Sequence, residues 1–286
     1  MHRYTMANKM LLALLPSVCG GLNLQRSALL LRQPASLIRR ASELRASLDI
    51  VFEESGEFGT TDYTMTFKKD GETISPWHDV PLEAGDGLYN MLTEIPKMTL
   101  KKMEVATKEA GNPVKQDEKK GKARLYHGPI FWNYGCLPQT WEDPSVAGGE
   151  EVSGAAGDDD PLDVVEIGAA SLPMGSFTPV KPLGVLSMID DGELDWKLIA
   201  IAASDEHAAD INDVDDIEQF YPGTVSGIRE WFRWYKTPDD KPVNAFGHDE
   251  KALGKEEAVK VIEETNGFYK NLMDGKADAG KLWLGK

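Results

Sequence analysis

VKPLGVLSMIDDGELDWKLIAIA, residues 180–202, is two apolar runs joined at Asp191-Gly192. Asp-Gly supplies the positive-φ residues that a two-residue turn requires, so the flanking runs are predicted to pair as a β-hairpin. Upstream, VVEIG (164–168) reads as a further buried strand, entered through Asp163. LDIVFEES (48–55) and TDYTMTFKKDG (61–71) alternate as strands do, and KMEV (102–105) and ARLY (123–126) read as shorter ones. The polar stretch GNPVKQDEKKGK (111–122) reads as a loop, FWNYGCLPQTWEDP (131–144) as an ordered connection and VAGGEEVSGAAGDD (146–159) as a flexible loop.

Helical spacing begins only downstream of the hairpin. Ile228, Trp231, Phe232 and Tyr235 fall at i, i+3, i+4 and i+7, and Ala258, Val261, Ile262 and Thr265 repeat the pattern. Short strands followed by two helices predict an α+β chain, a small barrel with the helices outside. No internal repeat or central linker interrupts it, so one domain is expected over residues 47–286.

The formal charge of −16 is unevenly spread. Residues 1–42 carry Arg3, Lys9, Arg26, Arg32, Arg39 and Arg40 and no acid, so −16 less +6 leaves −22 on the remainder. Such a surface repels nucleic acid and anionic lipid and suits a protein that gathers cations. The Arg-rich, acid-poor residues 1–46 read as an organelle transit sequence that is removed, plastid preferred over mitochondrion. The apolar stretch Met10 to Val18 falls short of the ~20 residues that span a bilayer. Cys136 has no CxxC or histidine partner at ligand spacing and reads as a packed thiol.

The chemistry gathers around GDDDPLDVVEIG (157–168), where Asp158, Asp159, Asp160 and Asp163 crowd one proline. Two carboxylates about 4 Å apart repel by about 4 kcal/mol at an effective dielectric near 20, which bound cations relieve. In an extended chain Asp158 and Asp160 project to one side, and Pro161 bends the path so that Asp163 returns toward them. Carboxylates without histidine or cysteine select hard ions such as Mg²⁺ or Mn²⁺. Asp190 and Asp195 flank the hairpin turn and can face this cluster. Lys102 and Glu104 at two-residue spacing, Arg124, and Tyr235-Lys236 complete a mixture of acids and fixed cations able to enclose a polyanion, as phosphoryl transfer requires.

GDDDPLDVVEIG resembles the Asp-x-Asp-Pro-x-Asp signature of the soluble family I inorganic pyrophosphatases, and the likeness runs through HDVPL, TEIPK, KKMEV, QDEKKGKAR, WNYGCLPQTWEDP, PLGVLSMIDDGELDWKLIAI, FYPGTVSGIREWFRWYK and KPVNAFG, in the manner of the eukaryotic-type branch. The resemblance implies a five-stranded OB-like β-barrel with additional strands and flanking C-terminal helices, Mg²⁺ dependence with Mn²⁺ as a substitute, hydrolysis of pyrophosphate to two phosphates by a metal-activated water, and a homodimer. By motif, Asp158, Asp163 and Asp195 would hold the tighter metals, and Asp190 and Glu104 would complete sites for metals that arrive with substrate. Asp160 would orient and deprotonate the attacking water. Lys102, Arg124, Tyr235 and Lys236 would bind phosphate oxygens and stabilise the leaving group, supported by Tyr134, Glu94 and Lys197.

One position departs from the family pattern. Ile130 stands where many relatives have a tyrosine four residues before the Tyr134 equivalent, so a phenol proposed as proton donor is absent from that position; either Tyr126 or a metal-bound water substitutes, or the donor role is not essential. Two other readings stay open at this stage: an acidic cation-binding protein of the same fold without turnover, and a phosphohydrolase of nucleotides or organic phosphates. The absence of a GxxxxGK[ST] loop weighs against the last.

Overall fold

The computed structural model describes residues 48–285. The transit sequence expected over residues 1–46, Cys19 included, lies outside the described residues. The principal strands are β1 (Ile50–Ser55), β2 (Thr64–Lys69), β3 (Leu88–Ile95), β4 (Met103–Val105), β5 (Val114–Gln116), β6 (Leu125–Ile130), β7 (Asn133–Cys136), β8 (Asp163–Glu166), β9 (Phe177–Asp190) and β10 (Glu193–Ala202); the two longer helices are α1 (Thr224–Trp234) and α2 (Lys255–Met273).

The hairpin forms as the sequence predicts: β9 and β10 pair antiparallel, and Asp191 and Gly192 take φ values of 52° and 96° in the turn. β10 then pairs in parallel with β8, β8 antiparallel with β7, and β7 antiparallel with β3. β3 pairs back to β9, so these strands are hydrogen-bonded in a closed circuit. The closure depends on a bend in β9. Pro182 has no N–H to give to the ladder, and the register with β10 shifts between Pro182 and Gly184. Phe177–Val180 is thereby free to cross to β3 while the rest of the strand stays with β10.

β8 and β10 are buried on both faces, as strands under two apolar layers must be. Val165, Ile199 and Ile201 point into one cluster with Phe67, Trp141 and Phe232. Val164, Leu198 and Ala200, one residue out of phase, point into another with Ala258, Val261 and Ile262 of α2. α2 buries the very residues whose spacing marked it as a helix. α1 buries Ile228 and Phe232, with Trp231 and Tyr235 packed half-buried beside them. Each such side chain contributes about 1.5–3 kcal/mol of burial.

Three segments differ from expectation. The polar stretch 111–122 contains β5, paired with β4 and β2, and the outer strands Glu118–Lys119 and Lys122–Ala123. Its charged residues alternate outward, so the apolar half of the pattern is carried by Val114 and the stem of Gln116. The aromatic connection is partly strand β7, its four residues all buried between β3 and β8. The glycine-rich loop is ordered around the buried side chain of Val152, with Ala147 and Ala156 bridged.

The chain's far end closes one wall. The Trp283 N–H donates to the Thr107 carbonyl at 2.9 Å, and His78 Nε2 lies 2.9 Å from the Trp283 carbonyl while Nδ1 lies 2.9 Å from the Tyr269 hydroxyl. No helix among the described residues is long and apolar enough to cross a membrane.

Candidate active site

The aspartate cluster is a turn held against Glu142. The Glu142 N–H donates to the Asp160 carbonyl at 2.9 Å and the Asp159 N–H to the Glu142 carbonyl at 3.0 Å. Gly157 permits this approach, because a Cβ there would lie 2.5 Å from the Glu142 carbonyl oxygen. Asp159 takes a left-handed φ of 72°, so the chain is not extended here as predicted. The Asp159 carboxylate turns outward to accept from Trp141 Nε1 at 3.1 Å and to meet Lys108 at 3.5 Å. Asp158 Oδ1 in turn accepts from the Asp160 N–H at 3.1 Å.

What this turn faces is set by strand register. Asp163 opens β8 directly opposite Lys197 on the parallel strand β10, and Asp195 lies two residues from Lys197 on the same face. Lys197, 1% exposed, pairs with both Asp163 and Asp195, and Tyr134 from β7 donates its hydroxyl to Asp163. Behind them, carboxylate oxygens of Glu142, Asp158 and Asp195 lie within 4.8 Å of one another. Glu142 is 2% exposed; one of its oxygens accepts from the Trp196 N–H at 3.0 Å, and the other has no partner.

The cationic side is organised by Asp117. Lys102 Nζ lies 3.0 Å from Asp117 Oδ2 and also pairs with Glu104, and Arg124 donates to the same Asp117 oxygen at 2.9 Å. A third group joins the hairpin to α1: Tyr235 donates to Asp190 Oδ2 at 3.0 Å and Lys236 pairs with the same oxygen, leaving the buried Asp190 Oδ1 without a partner. A cavity of about 280 Å³ lies between these groups, lined among others by Glu94, Lys102, Glu104, Tyr134, Asp160 and Asp163.

The electrostatics show how much cation the site lacks by itself. Burial, then the charges of Asp195, Asp160 and Asp163, push Asp158 well above the ordinary carboxylate range, and burial with Asp158 and Asp195 does the same to Glu142. Asp195 is raised to about 7 by burial against the opposing pull of Lys197. Asp160 borders solvent at the cavity, yet the partial loss of water around it and the Glu104 charge raise its pKa to about 7. Glu94, fully enclosed with its Oε1 accepting from the Val105 N–H at 2.7 Å, is also pushed well up by burial and by Asp163. Burial opposes the charge on Lys197, but Asp163 and Asp195 outweigh it and hold the ammonium protonated.

Of the residues expected at the site, Glu94, Lys102, Glu104, Tyr134, Asp160 and Asp163 line the cavity; Lys197 joins Asp195 to Asp163, Asp158 lies beside Asp195, Arg124 meets Lys102 at Asp117, and Tyr235 and Lys236 meet at Asp190. Two were missed: Asp117, hidden in a stretch read as loop, and Glu142, in a stretch read as a connection. Neither has a spacing signal, since each reaches the site only through the fold. Ile130 is fully buried in the core.

The sequence profile of the family described as inorganic pyrophosphatase matches residues 91–270. The chain is 48% identical over 268 residues to soluble inorganic pyrophosphatase 6, chloroplastic, of Arabidopsis thaliana, covering 93% of this chain and 87% of that protein. It is 51% identical over 253 residues to soluble inorganic pyrophosphatase 1, chloroplastic, of Chlamydomonas reinhardtii, covering 88% and 90%. Among solved structures, the type I inorganic pyrophosphatase of Toxoplasma gondii superposes with a TM-score of 0.76 at 49% identity, covering 78% of this chain and 99% of that one.

Proposed function

The chain belongs to the inorganic pyrophosphatase family, and we propose that it hydrolyses inorganic pyrophosphate to two phosphates at the cavity between Asp160, Lys102 and Asp163. The observation that carries this reading is the excess of buried carboxylate around a cavity that Lys102 also lines, with Arg124 held beside Lys102 by Asp117. Glu142 and Asp190 each keep a buried oxygen without a partner, and the donor set is all oxygen. That combination fits a hard divalent cation such as Mg²⁺, with Mn²⁺ able to replace it.

Asp158, Asp163 and Asp195 would hold the tighter ions, with Glu142 completing their buried donor set; Asp190 and Glu104 would hold ions that enter with substrate. Bound Mg²⁺ would lower the pKa of water and offset the charge of the phosphates. Asp160, which lines the cavity and borders solvent, orients the attacking water and takes its proton. Lys102 and Arg124, held on the same oxygen of Asp117, present cationic donors to the phosphate oxygens. Tyr235 and Lys236 do the same from α1's end, with Tyr134 and Lys197 fixing Asp163. The closed strand circuit supports an OB-like barrel as the frame. The likeness to proteins named chloroplastic supports a plastid location, which is in keeping with residues 1–46 as a transit sequence; one catalytic domain over 47–286 and a homodimer are proposed on the family resemblance alone.

Phosphate release from pyrophosphate, measured on residues 47–286 with millimolar Mg²⁺ and again with EDTA, tests the proposal. Rapid release with Mg²⁺ alone supports it. No release from a folded protein that binds Mn²⁺ overturns it, and faster turnover of nucleoside triphosphates than of pyrophosphate replaces the substrate.

A further inference from the structure

The outer hairpin of strands Glu118–Lys119 and Lys122–Ala123 gathers positive charge at a local cost. Lys119 and Lys122 are paired directly across the two strands, where like charges repel. Lys120 and Gly121 fill the two-residue turn with φ values of 55° and 76°. Such a turn favours Asn, Asp or Gly at its first position, and a lysine held there is strained. The chain crowds cations here much as it crowds acids near Pro161.

The compensation is incomplete. Asp239 pairs with Lys119 and lies 3.1 Å from His127 Nε2. Among the described residues no carboxylate pairs with Lys120 or Lys122, and both are exposed. With Lys119, Arg124, His127 and Asp239 they line a groove of about 470 Å³.

The root of this hairpin is the cationic side of the candidate active site. The Asp117 N–H donates to the Lys102 carbonyl at 2.9 Å, the Lys102 N–H to the Arg124 carbonyl at 3.2 Å and the Arg124 N–H to the Asp117 carbonyl at 2.7 Å. Arg124 lines the groove and shares Asp117 with Lys102, which lines the cavity. On the other flank, Asp239 lies three residues beyond Lys236.

Pyrophosphate approaching this protein meets a surface that is negative overall, with −22 on residues 43–286. A positive patch beside the cavity focuses the field and raises the rate of encounter. We propose that Lys120 and Lys122 form a capture patch for the anionic substrate, drawing pyrophosphate along the groove toward Arg124 and Lys102 without touching the reacting atoms. The proposal rests on the pyrophosphatase reading above and adds to it the side from which substrate enters.

Lys120→Asn combined with Lys122→Gln removes both charges and leaves a residue suited to the turn. With saturating Mg²⁺ at low ionic strength, this neutral pair is expected to lower kcat/KM for pyrophosphate by about 3- to 10-fold, a part of what focused fields supply, with kcat unchanged. In about 1 M potassium chloride, where a charge is felt over only about 3 Å, the variant and wild type should converge. Lys120→Arg combined with Lys122→Arg keeps the charge and should match wild type at both ionic strengths. If wild type releases no phosphate from pyrophosphate, the functional reading fails and the capture role falls with it. If wild type is active, undiminished kcat/KM in the neutral pair at low salt overturns the patch, and so does a deficit that persists at high salt. An equal fall in kcat would place the lysines in the chemical step and overturn it too. Should the neutral pair melt early, Lys122→Gln alone repeats the comparison with the turn unaltered.

Discussion

Lys197 and Asp163 stand opposite each other on the parallel strands β10 and β8, and the buried ammonium of the one is bonded to the carboxylate of the other. Parallel pairing with this register is what places a cation at the centre of the acids. The ammonium also reaches Asp195, so one lysine partly neutralises two carboxylates from two strands.

Lys197→Met should therefore destabilise the metal-free protein by about 3–5 kcal/mol, the cost of removing one partner from a buried ion pair. Excess Mg²⁺ or Mn²⁺ should restore part of that loss by supplying charge where the ammonium stood. Urea denaturation with EDTA and with metal measures both; a loss unaffected by metal would place Lys197 outside the cation balance of the site.

Asp160→Asn should lower kcat by about 10²–10⁴-fold, the range for loss of a positioned general base, with circular dichroism and melting temperature retained. Asp160 borders solvent and its side chain is not part of the core, so an unfolded variant would recast the residue as a structural acid.

Stability in EDTA should fall as pH rises. Asp160 and Asp195 have folded pKa values of about 7, above the ordinary value near 3.9. The folded state thus binds more protons over that interval. Their contribution is fully present below about pH 4 and is lost as pH climbs through about 7. Bound Mg²⁺ removes the penalty on the ionised carboxylates, so the difference in melting temperature between Mg²⁺ and EDTA should widen from pH 5 to pH 8. A constant difference would refute the link between these acids and metal.

Ile130→Tyr should not improve turnover. Ile130 is fully buried in the core, and forcing a larger, polar side chain into that space costs about 1–3 kcal/mol. Melting temperature should fall and kcat should not rise; a faster enzyme would show that the phenol missing from this position limits catalysis.

The parts of the molecule readable in the chain are those whose causes are local. Asp191-Gly192 announces its hairpin because the turn needs positive φ, and α1 and α2 announce themselves because a buried stripe needs 3.6-residue spacing. The acids near Pro161 are conspicuous because like charge is costly to crowd. Glu142 and Asp117 were not readable. Glu142 joins the acids only because Gly157 lets a turn lie on its backbone, and Asp117 matters only because Lys102 and Arg124 converge on it from separate strands. Alternation sets Asp159 opposite Asp158 and Asp160, but its partners Trp141 and Lys108 are ones that no two-residue period identifies. β5 was obscured by the charged side chains on its exposed face.

The latch of Trp283 onto Thr107 and His78 bears on the order of events during synthesis. Thr107 lines the cavity that also contains Lys102 and Asp160, and it is made early, whereas Trp283 is among the last described residues to be made. Chains begin folding from the N-terminal side at about 5–20 residues per second, so β1–β10 can assemble while this wall still lacks its fastening. A chain still being made would hold the acids and cations in place before the wall that bounds them is secured, so this wall is fastened only once Trp283 has emerged.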